Sequence, residues 1–330
     1  MSLEIKTESL ESLFTYYNNP GGTLDWPSIY TLPIWMQTWW EVFRSDYELF
    51  VRSIYKDGRL LGIAPLMIKS GEAFLIGSPD VCDYLDFITP AANKDEEEFF
   101  RVLLPYLKES GVEKLILNAQ RPDAGVFKGH IAAEAEEPSC FVTRFSREDE
   151  TFELNLASSW DDYLAGLTKK QRHEVRRKLR RLQDETGSHD YRVLENAAEV
   201  GSFIPEFIKL FMQNPEKEEF LTSQREQYFR NLLVATAKKD LARFGLLDID
   251  GQTVAAVLYF NYRGRVYLYN SGYNYAYREM SAGLLSKLFC IRDSIERGRP
   301  IFDFLKGREV YKGRLGATAV PIYRVTVTIS

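Results

Sequence analysis

Apolar and polar positions form a pattern that occurs twice along the chain at a constant offset. Residues 54–78 read IYKDGRLLGIAPLMIKSGEAFLIGS, and residues 247–271 read LDIDGQTVAAVLYFNYRGRVYLYNS. The turn residues and final serines align without gaps: Asp57 with Asp250, Gly58 with Gly251, Gly71 with Gly264, and Ser78 with Ser271. Apolar runs on both sides of an Asp-Gly dipeptide and of a second glycine are typical of antiparallel strands joined by tight turns. The pattern predicts a three-stranded meander in each half of the chain.

An amphipathic helix and a short strand are predicted after each meander. Residues 95–110 and 281–297 carry apolar side chains at intervals of three and four positions, the spacing of a helix with one buried face. A glycine follows each segment, as is common at helix ends, and an apolar run, VEKLILN or PIFDFL, comes next. The repeated order predicts an α/β (α+β) fold with two tandem domains, residues 1–150 and 151–330. Each domain is expected to be a mixed, mostly antiparallel sheet flanked by helices.

A third amphipathic segment is far more basic than the rest of the chain. Residues 169–181, KKQRHEVRRKLRR, contain eight Lys or Arg residues and one acid, Glu174. Apolar side chains recur along it at helical spacing, which predicts one helix from about residue 159 to about residue 186 at the start of the second domain. Because a helix with an apolar seam docks against a core, we interpret it as a brace between the domains that gives the cleft a positive potential. A charged face turned to solvent is the alternative.

The composition narrows the functional classes. The chain has 330 residues, 42 basic and 47 acidic side chains, a net charge of −5 and a pI near 5.5, which argues against a general nucleic-acid-binding protein. The three cysteines are far apart and odd in number, as is common in a reducing cytoplasm. They form no zinc-like spacing with the three histidines, so no metal is expected. Neither a secretory signal nor an apolar run of about 20 residues is recognisable, which favours a cytoplasmic protein without a membrane span.

The two copies differ where the third strand meets the helix. In the second copy, the sequence REMSAGLL brings Arg278, Ser281 and Gly283 to the helix start, with no acid in the first turn. We expect Ser281 to be the N-cap, and the free N–H groups to bind a pyrophosphate together with Arg278. The predicted donors are the backbone groups of Ala282, Gly283 and Leu284. The first copy starts its helix with four acids, residues 95–98, which would repel phosphate, so it is predicted to be a scaffold.

Three segments of the chain resemble known acyltransferases. The sequence from Arg278 to Gly283 is similar to the Arg-x-x-Gly-x-Gly motif of the GNAT acyltransferases, with Ser281 at the first glycine. Residues 300–316, PIFDFLKGREVYKGRLG, resemble the terminal segment of CelD-like GNAT proteins and the Phe-Lys-x-x-Phe-Gly segment of Fem-type peptidoglycan aminoacyltransferases. Residues 159–182 also look CelD-like, with a tryptophan ahead of a basic helix. Both groups consist of two GNAT-like halves, of which the first is degenerate.

The resemblance implies an enzyme that uses acetyl-CoA or another acyl-CoA as co-substrate. The pyrophosphate would bind on residues 278–284, here named the phosphate turn, and the acyl group would pass to an amine of a sugar or an amino-acid-like small molecule. A Fem-type transferase that takes its donor from aminoacyl-tRNA and acts on a cell-wall precursor is one alternative, although no long coiled-coil arm is visible. A non-catalytic binding protein that keeps the fold is the other.

Four residues near the end of the chain are candidate catalytic groups. Asp303 is an acid inside the apolar run IFDFL, where a carboxylate is out of place unless it is paired or catalytic. Glu309 is an alternative general base. Tyr311 is a candidate acid for the leaving thiolate. The Fem-type resemblance implies that Lys312 stabilises developing negative charge, a role for which Lys306 is a rival.

The candidate acceptor-binding residues come from three places. Asn270 and Ser271 end the third strand of the second copy. Asp83 and Tyr84 occupy the position of the phosphate turn in the first copy, and Arg172 and Arg176 lie on the basic helix. We expect Asp83 and Tyr84 to line an acceptor site between the two halves, and the arginines to face an anionic substrate group.

Overall fold

The computed structural model describes residues 2–90, 94–127 and 141–329, without the side chains of residues 94, 95 and 216. His130 and Cys140, which entered the argument on metals and redox state, lie outside the described residues. The chain divides into two compact units, which are Met1–Asp149 with Pro321–Ser330, and Glu150–Val320. The predicted second domain ran to residue 330. In the structure residues 321–330 belong to the first unit, because they pair with a strand of that unit.

In its described residues the first unit has six strands, which form one mixed sheet, and three α-helices. Its elements are β1 (Leu3–Glu8), α1 (Leu10–Tyr17), α2 (Pro33–Phe43), β2 (Glu48–Lys56), β3 (Arg59–Lys69), β4 (Glu72–Leu75), α3 (Lys94–Glu109), β5 (Lys114–Gln120) and the greater part of β12 (Thr318–Ile329). The strand order is β1-β2-β3-β4-β5-β12. Strands β4 and β5 are parallel, and the other neighbours are antiparallel.

The second unit has the same arrangement of strands with more helices. Its elements are β6 (Phe141–Asn155, from Glu150), α4 (Trp160–Gly166), α5 (Lys169–Glu185), β7 (His189–Leu194), α6 (Ala197–Phe211), α7 (Pro215–Phe220), α8 (Ser223–Ala237), β8 (Ala242–Ile249), β9 (Gln252–Tyr262), β10 (Arg265–Tyr273), α9 (Ala282–Glu296), β11 (Ile301–Lys306) and α10 (Val310–Arg314). The strand order is β6-β11-β10-β9-β8-β7, and only β10 and β11 are parallel neighbours.

The predicted internal repeat is confirmed by these two sheets. The antiparallel meander β2-β3-β4 of the first unit corresponds to β8-β9-β10 of the second, and a helix and a parallel strand follow each. At the first turn Asp57 and Gly58 have φ of 49° and 78°, and Asp250 and Gly251 have φ of 50° and 79°. Two successive positive φ angles are those of a type I′ turn, which matches the twist of the strands it joins and favours the Asp-Gly dipeptide. The same local chemistry therefore builds both meanders.

The basic segment folds as two helices, where the sequence predicted one. α4 ends at Gly166, and α5 begins after Thr168, whose hydroxyl accepts from the backbone N–H of Gln171 at 3.3 Å while the Gln171 side chain accepts from the Thr168 backbone N–H at 2.8 Å. This reciprocal capping box satisfies the helix-start donors and stops the two helices from merging. Val175 and Leu182 of α5 are buried in the core of the second unit, as the predicted apolar seam requires.

No helix among residues 2–90, 94–127 and 141–329 combines the length and the apolar character that crossing a membrane requires.

Candidate active site

The strands β10 and β11 separate at their carboxyl ends. They pair at three positions, from Arg265 with Ile301 to Tyr267 with Asp303, and their remaining residues are not paired with each other. The register of β10 against β9 shifts between Leu268 and Asn270, which makes a β-bulge. A bulge bends the strand and takes a residue out of the ladder. The second unit therefore opens a gap between two neighbouring parallel strands, with the bulge on its wall.

The phosphate turn lies between the end of β10 and α9, but Ser281 is not an N-cap of the predicted kind. Its φ is +62°, and its side chain makes no capping hydrogen bond. This left-handed conformation favours glycine, the residue that the resembled motif has at this position. The N–H of Leu284 is not free either, because it donates to the Ser281 carbonyl at 2.9 Å. The N–H groups of Ala282 and Gly283 find no acceptor among the residues that the structure describes.

The basic helix α5 contacts the phosphate turn through two cations that the sequence did not single out. The Lys178 ammonium donates to the Ser281 hydroxyl at 2.6 Å, and the Arg181 guanidinium donates to the Glu279 carbonyl at 2.8 Å. Arg278 is exposed and lies over the Tyr275 ring, 4.8 Å from its centroid. Each of these cations also pairs with a carboxylate, that of Glu279, Glu174 or Glu185, so their charge is partly compensated. The free N–H groups add the positive end of the α9 dipole.

Gly283 lets the turn approach the strand that precedes it. A Cβ at this position would lie 2.8 Å from the Tyr273 ring. We expect Gly283→Ala to lower the free energy of unfolding by about 1 kcal/mol, because the ring has to move. Gly201→Ala is the matched control, since a Cβ there has open space within α6, and it should raise stability by about 0.5–1 kcal/mol. Urea unfolding measures both, and equal changes would show that the contact with Tyr273 carries no cost.

Arg172 and Arg176 lie apart from the contacts that α5 makes with the turn. Together with Lys169, Lys170 and His173 they line a groove of about 540 Å³. Arg172 donates to the Ala165 carbonyl at 3.4 Å. Their predicted role toward an anionic substrate group stays a prediction, while Lys178 and Arg181 are the cations of α5 that the fold places on the phosphate turn.

Asp303 is fully buried and ion-paired. One carboxylate oxygen lies 3.0 Å from the Arg265 guanidinium, which also pairs with Glu153 at 2.7 Å. The other oxygen accepts from the backbone N–H of Leu305 at 2.9 Å, where Leu305 has a φ of +60°. These contacts explain why a carboxylate is stable inside an apolar strand. They bind Asp303 to the sheet, and its predicted catalytic role stays a prediction.

Lys312 is also buried, with 1% of its surface exposed. Its ammonium donates to the carbonyls of Leu305, Lys306 and Gly307 at 2.6–3.0 Å, and lies 3.0 Å from the carboxylate of the exposed Glu309. An ammonium has three donors, and three carbonyls and one carboxylate receive them. Lys312 therefore holds the chain in place after β11, and its predicted catalytic role stays a prediction.

Tyr311 and two further lysines complete the site. The Tyr311 ring packs on Phe304, 6.1 Å between centroids, and burial raises the pKa of its hydroxyl. The ammonium of Lys287, on α9, lies 5.0 Å from the Tyr311 ring centroid and donates to the Gly283 carbonyl at 2.8 Å. Burial, chiefly, lowers the pKa of Lys287 to about 7. Lys217, on α7, donates to the carbonyl of Ser271 at the end of β10, and burial lowers its pKa to about 8.

Sequence reasoning missed both of these lysines. Lys287 had a usable signal, because it lies three positions after Leu284 and four before Ile291, on the apolar face of its helix. Burial of a lysine on an apolar helix face lowers stability, so a lysine at such a position indicates a function. Lys217 had no comparable signal, since it belongs to the charged segment PEKEEF, and only the fold brings it to the end of β10.

The remaining predicted acceptor residues fall into two groups. Asn270 and Ser271 are partly buried on β10 beside the gap. Asp83 and Tyr84 belong to the first unit, where Asp83 accepts from the Tyr30 hydroxyl at 3.1 Å and Tyr84 is 3% exposed. The roles of all four in binding an acceptor stay predictions. Within the described parts of the chain, no group of three or more His, Cys, Asp or Glu side chains is arranged to hold a metal ion.

Comparison with known proteins points to one family for the segment that builds this site. Residues 169–313 match the acetyltransferase (GNAT) domain family. No curated protein matches the sequence.

Solved structures share the fold over most of the chain. FemX has a TM-score of 0.62 at 12% identity, covering 98% of this chain and 96% of that chain. L-PGS from Bacillus licheniformis has a TM-score of 0.55 at 14% identity, covering 88% and 90%. A tandem GNAT protein from the clavulanic acid biosynthesis pathway has a TM-score of 0.50 at 11% identity, covering 98% of both chains. At these identities the likeness concerns the fold. The bulge, the separated strands and the phosphate turn all lie within residues 169–313, the segment that matches the acetyltransferase (GNAT) domain family.

Proposed function

We propose that the second unit is an acyl-CoA-dependent N-acyltransferase that acts on the amine of a small molecule. The observation that carries the proposal is the phosphate turn, with two free N–H groups and three surrounding cations, next to the gap between β10 and β11. The match of residues 169–313 to the acetyltransferase (GNAT) domain family supports the same donor.

The donor is expected to bind with its pyrophosphate on the phosphate turn. The N–H groups of Ala282 and Gly283 would donate to phosphate oxygens at the positive end of the α9 dipole. Arg278, Lys178 and Arg181 would supply the charge. The remainder of the donor would then extend along β10 into the gap, which places the thioester near the bulge between Leu268 and Asn270.

The transfer step needs a neutral amine, a stabilised oxyanion and a proton for the thiolate. The amine lone pair attacks the thioester carbon, the C–N bond forms, and the C–S bond breaks with its electrons on sulfur. Backbone N–H groups at the bulge are suited to bind the oxyanion. The Tyr311 hydroxyl is the candidate proton donor to the thiolate. Burial raises its pKa and makes it a weaker acid, so the transfer depends on the nearby Lys287 ammonium to stabilise the phenolate. The proton that the amine loses then restores Tyr311 through solvent or Glu309.

Calorimetric titration with acetyl-CoA tests this function. Wild-type protein is expected to bind with micromolar affinity, and Arg278→Glu should bind at least about tenfold more weakly, because a charge-assisted contact becomes a repulsion. Arg292→Glu is the matched control, since Arg292 is exposed on the same helix and pairs with Glu296. The absence of binding by wild-type protein, or an equal loss in both variants, would contradict a donor site on the phosphate turn.

A second candidate function is transfer from aminoacyl-tRNA. The observation in its favour is the groove on α5, where five basic side chains lie together on the second unit. An exposed groove of one charge suits a phosphate backbone. If wild-type protein does not bind acetyl-CoA, binding of charged tRNA that weakens steeply with salt and with Arg176→Glu would establish this alternative.

A further inference from the structure

Three lysines converge beside the proposed reaction site, and in the part of the chain that the structure describes their ionic contacts include one carboxylate, that of Glu309. Lys217, Lys287 and Lys312 come from α7, α9 and α10, and with Glu309 they form what we call the lysine cluster. After burial, the charge of Lys217 contributes most to lowering the pKa of Lys287, Lys312 lowers it further, and Glu309 and Cys290 raise it. The cluster lies at the end of β10 and against the ring of Tyr311.

The charges of the lysine cluster do not balance. Lys312 is satisfied by three carbonyls and by Glu309. Lys217 and Lys287 each donate to one backbone carbonyl within the described part of the chain, although an ammonium has three donors. Lys287 is 7% exposed, so water has little access to it. Buried ammonium groups without counter-charges are costly, and a bound anion removes that cost.

We propose that the amine acceptor carries an anionic oxygen group, a carboxylate or a phosphate, that binds between the ammonium groups of Lys217 and Lys287. The proposal rests on the proposed function for the reaction, and it adds the chemical class of the acceptor. Amino acids and phosphorylated amino sugars belong to this class, and plain amines do not.

The lysine cluster also acts on the reactive end of such an acceptor. A positive charge nearby disfavours the ammonium form of an amine and lowers its pKa. The acceptor therefore binds as the free base, which is the form that attacks a thioester. Its anionic group holds the molecule in place while the cluster keeps its amine neutral, so one set of side chains selects the substrate and prepares the nucleophile.

The anion site is tested first without any acyl transfer. Thermal unfolding in inorganic phosphate at millimolar concentration, with chloride at equal ionic strength as reference, is compared for wild type, Lys217→Met, Lys287→Met and the double variant. Phosphate should stabilise the wild type most, each single variant less, and the double variant least, leaving only the part that Arg278→Glu removes. Lys209→Met removes an exposed lysine on α6 and should behave as wild type. Phosphate stabilisation that disappears in Arg278→Glu but persists in the double variant would assign the anion to the donor and overturn the proposal.

Acceptor choice is tested next with matched pairs of amines. Acetyl-CoA is the donor, and each pair consists of an amine with an anionic group and a matched amine without one. In at least one pair, glycine with glycinamide or glucosamine 6-phosphate with glucosamine, kcat/KM should be at least tenfold higher for the anionic amine. Lys217→Met should erase the preference through KM. The pair that shows this preference also identifies the anionic group, a carboxylate for glycine or a phosphate for glucosamine 6-phosphate. Equal rates within both pairs would refute the anion site even if transfer occurs. Failure to bind acetyl-CoA, with phosphate binding intact, would refute the proposed function and leave the anion site standing.

Discussion

Lys312→Met is expected to lower the free energy of unfolding by about 3–5 kcal/mol, because three carbonyls lose their donor and each unsatisfied group costs about 1–3 kcal/mol. The substitution keeps the length of the side chain but leaves the carbonyls of Leu305, Lys306 and Gly307 without their donor. It also leaves Glu309 without its partner. Urea unfolding followed by tryptophan fluorescence measures the change.

Glu309→Gln is the control for this prediction. Glu309 is exposed, so its ion pair with Lys312 is screened by water, and its loss should cost less than about 1 kcal/mol. If Lys312→Met is as stable as wild type and loses only the rate of acyl transfer, the lysine is catalytic, as the Fem-type resemblance implies. If it is unstable and its remaining folded fraction still transfers the acyl group, the lysine is structural.

Lys287 is expected to make stability rise with pH. Its pKa falls from 10.5 in the unfolded chain to about 7 in the folded protein, first because of burial and then because of Lys217. Between these values the unfolded state holds one proton more than the folded state, so the free energy of unfolding rises by about 1.4 kcal/mol for each pH unit. Below about pH 7 both states are protonated, and the full penalty of the buried charge is present.

The comparison of wild type with Lys287→Met isolates this effect. The methionine variant should be more stable than wild type near neutral pH, and the advantage should shrink as pH rises to about 9.5. Lys239→Met, which removes an exposed lysine, should show no such difference in slope. Parallel pH profiles for wild type and Lys287→Met would mean that Lys287 is protonated in the folded protein, with a counter-charge that lifts its pKa.

The repeated meander was predictable because its causes are local. An Asp-Gly dipeptide between two apolar runs selects a type I′ turn, and the turn sets the pairing of its own strands. The helix after each meander followed from periodicity alone, and Lys94–Glu109 and Ala282–Glu296 agree with the predicted segments within one residue at each end. The boundary between α4 and α5 at Thr168 was not predicted, because the apolar positions keep helical spacing across the capping box.

The phosphate turn was predictable in its position but not in its detail. Its residues are consecutive in the sequence, so the motif located the turn between β10 and α9. The left-handed φ of Ser281 and the bond from Leu284 depend on how the chain leaves β10. Lys178 and Arg181 reach the turn from a helix about 100 residues earlier, at sequence separations of 103 and 98, which periodicity cannot connect.

The sequence by itself determined the repeated order of strands and helix, the turns that join them and the position of the phosphate turn, because each depends on residues within one turn or one helix. Only the tertiary structure decided which charges meet. It paired Asp303 with Arg265, surrounded Lys312 with carbonyls, and brought Lys217 next to Lys287 from separate helices. The energy of a charge depends on burial and on neighbours distant in the chain, and these exist once the sheet has formed and the helices have packed on it.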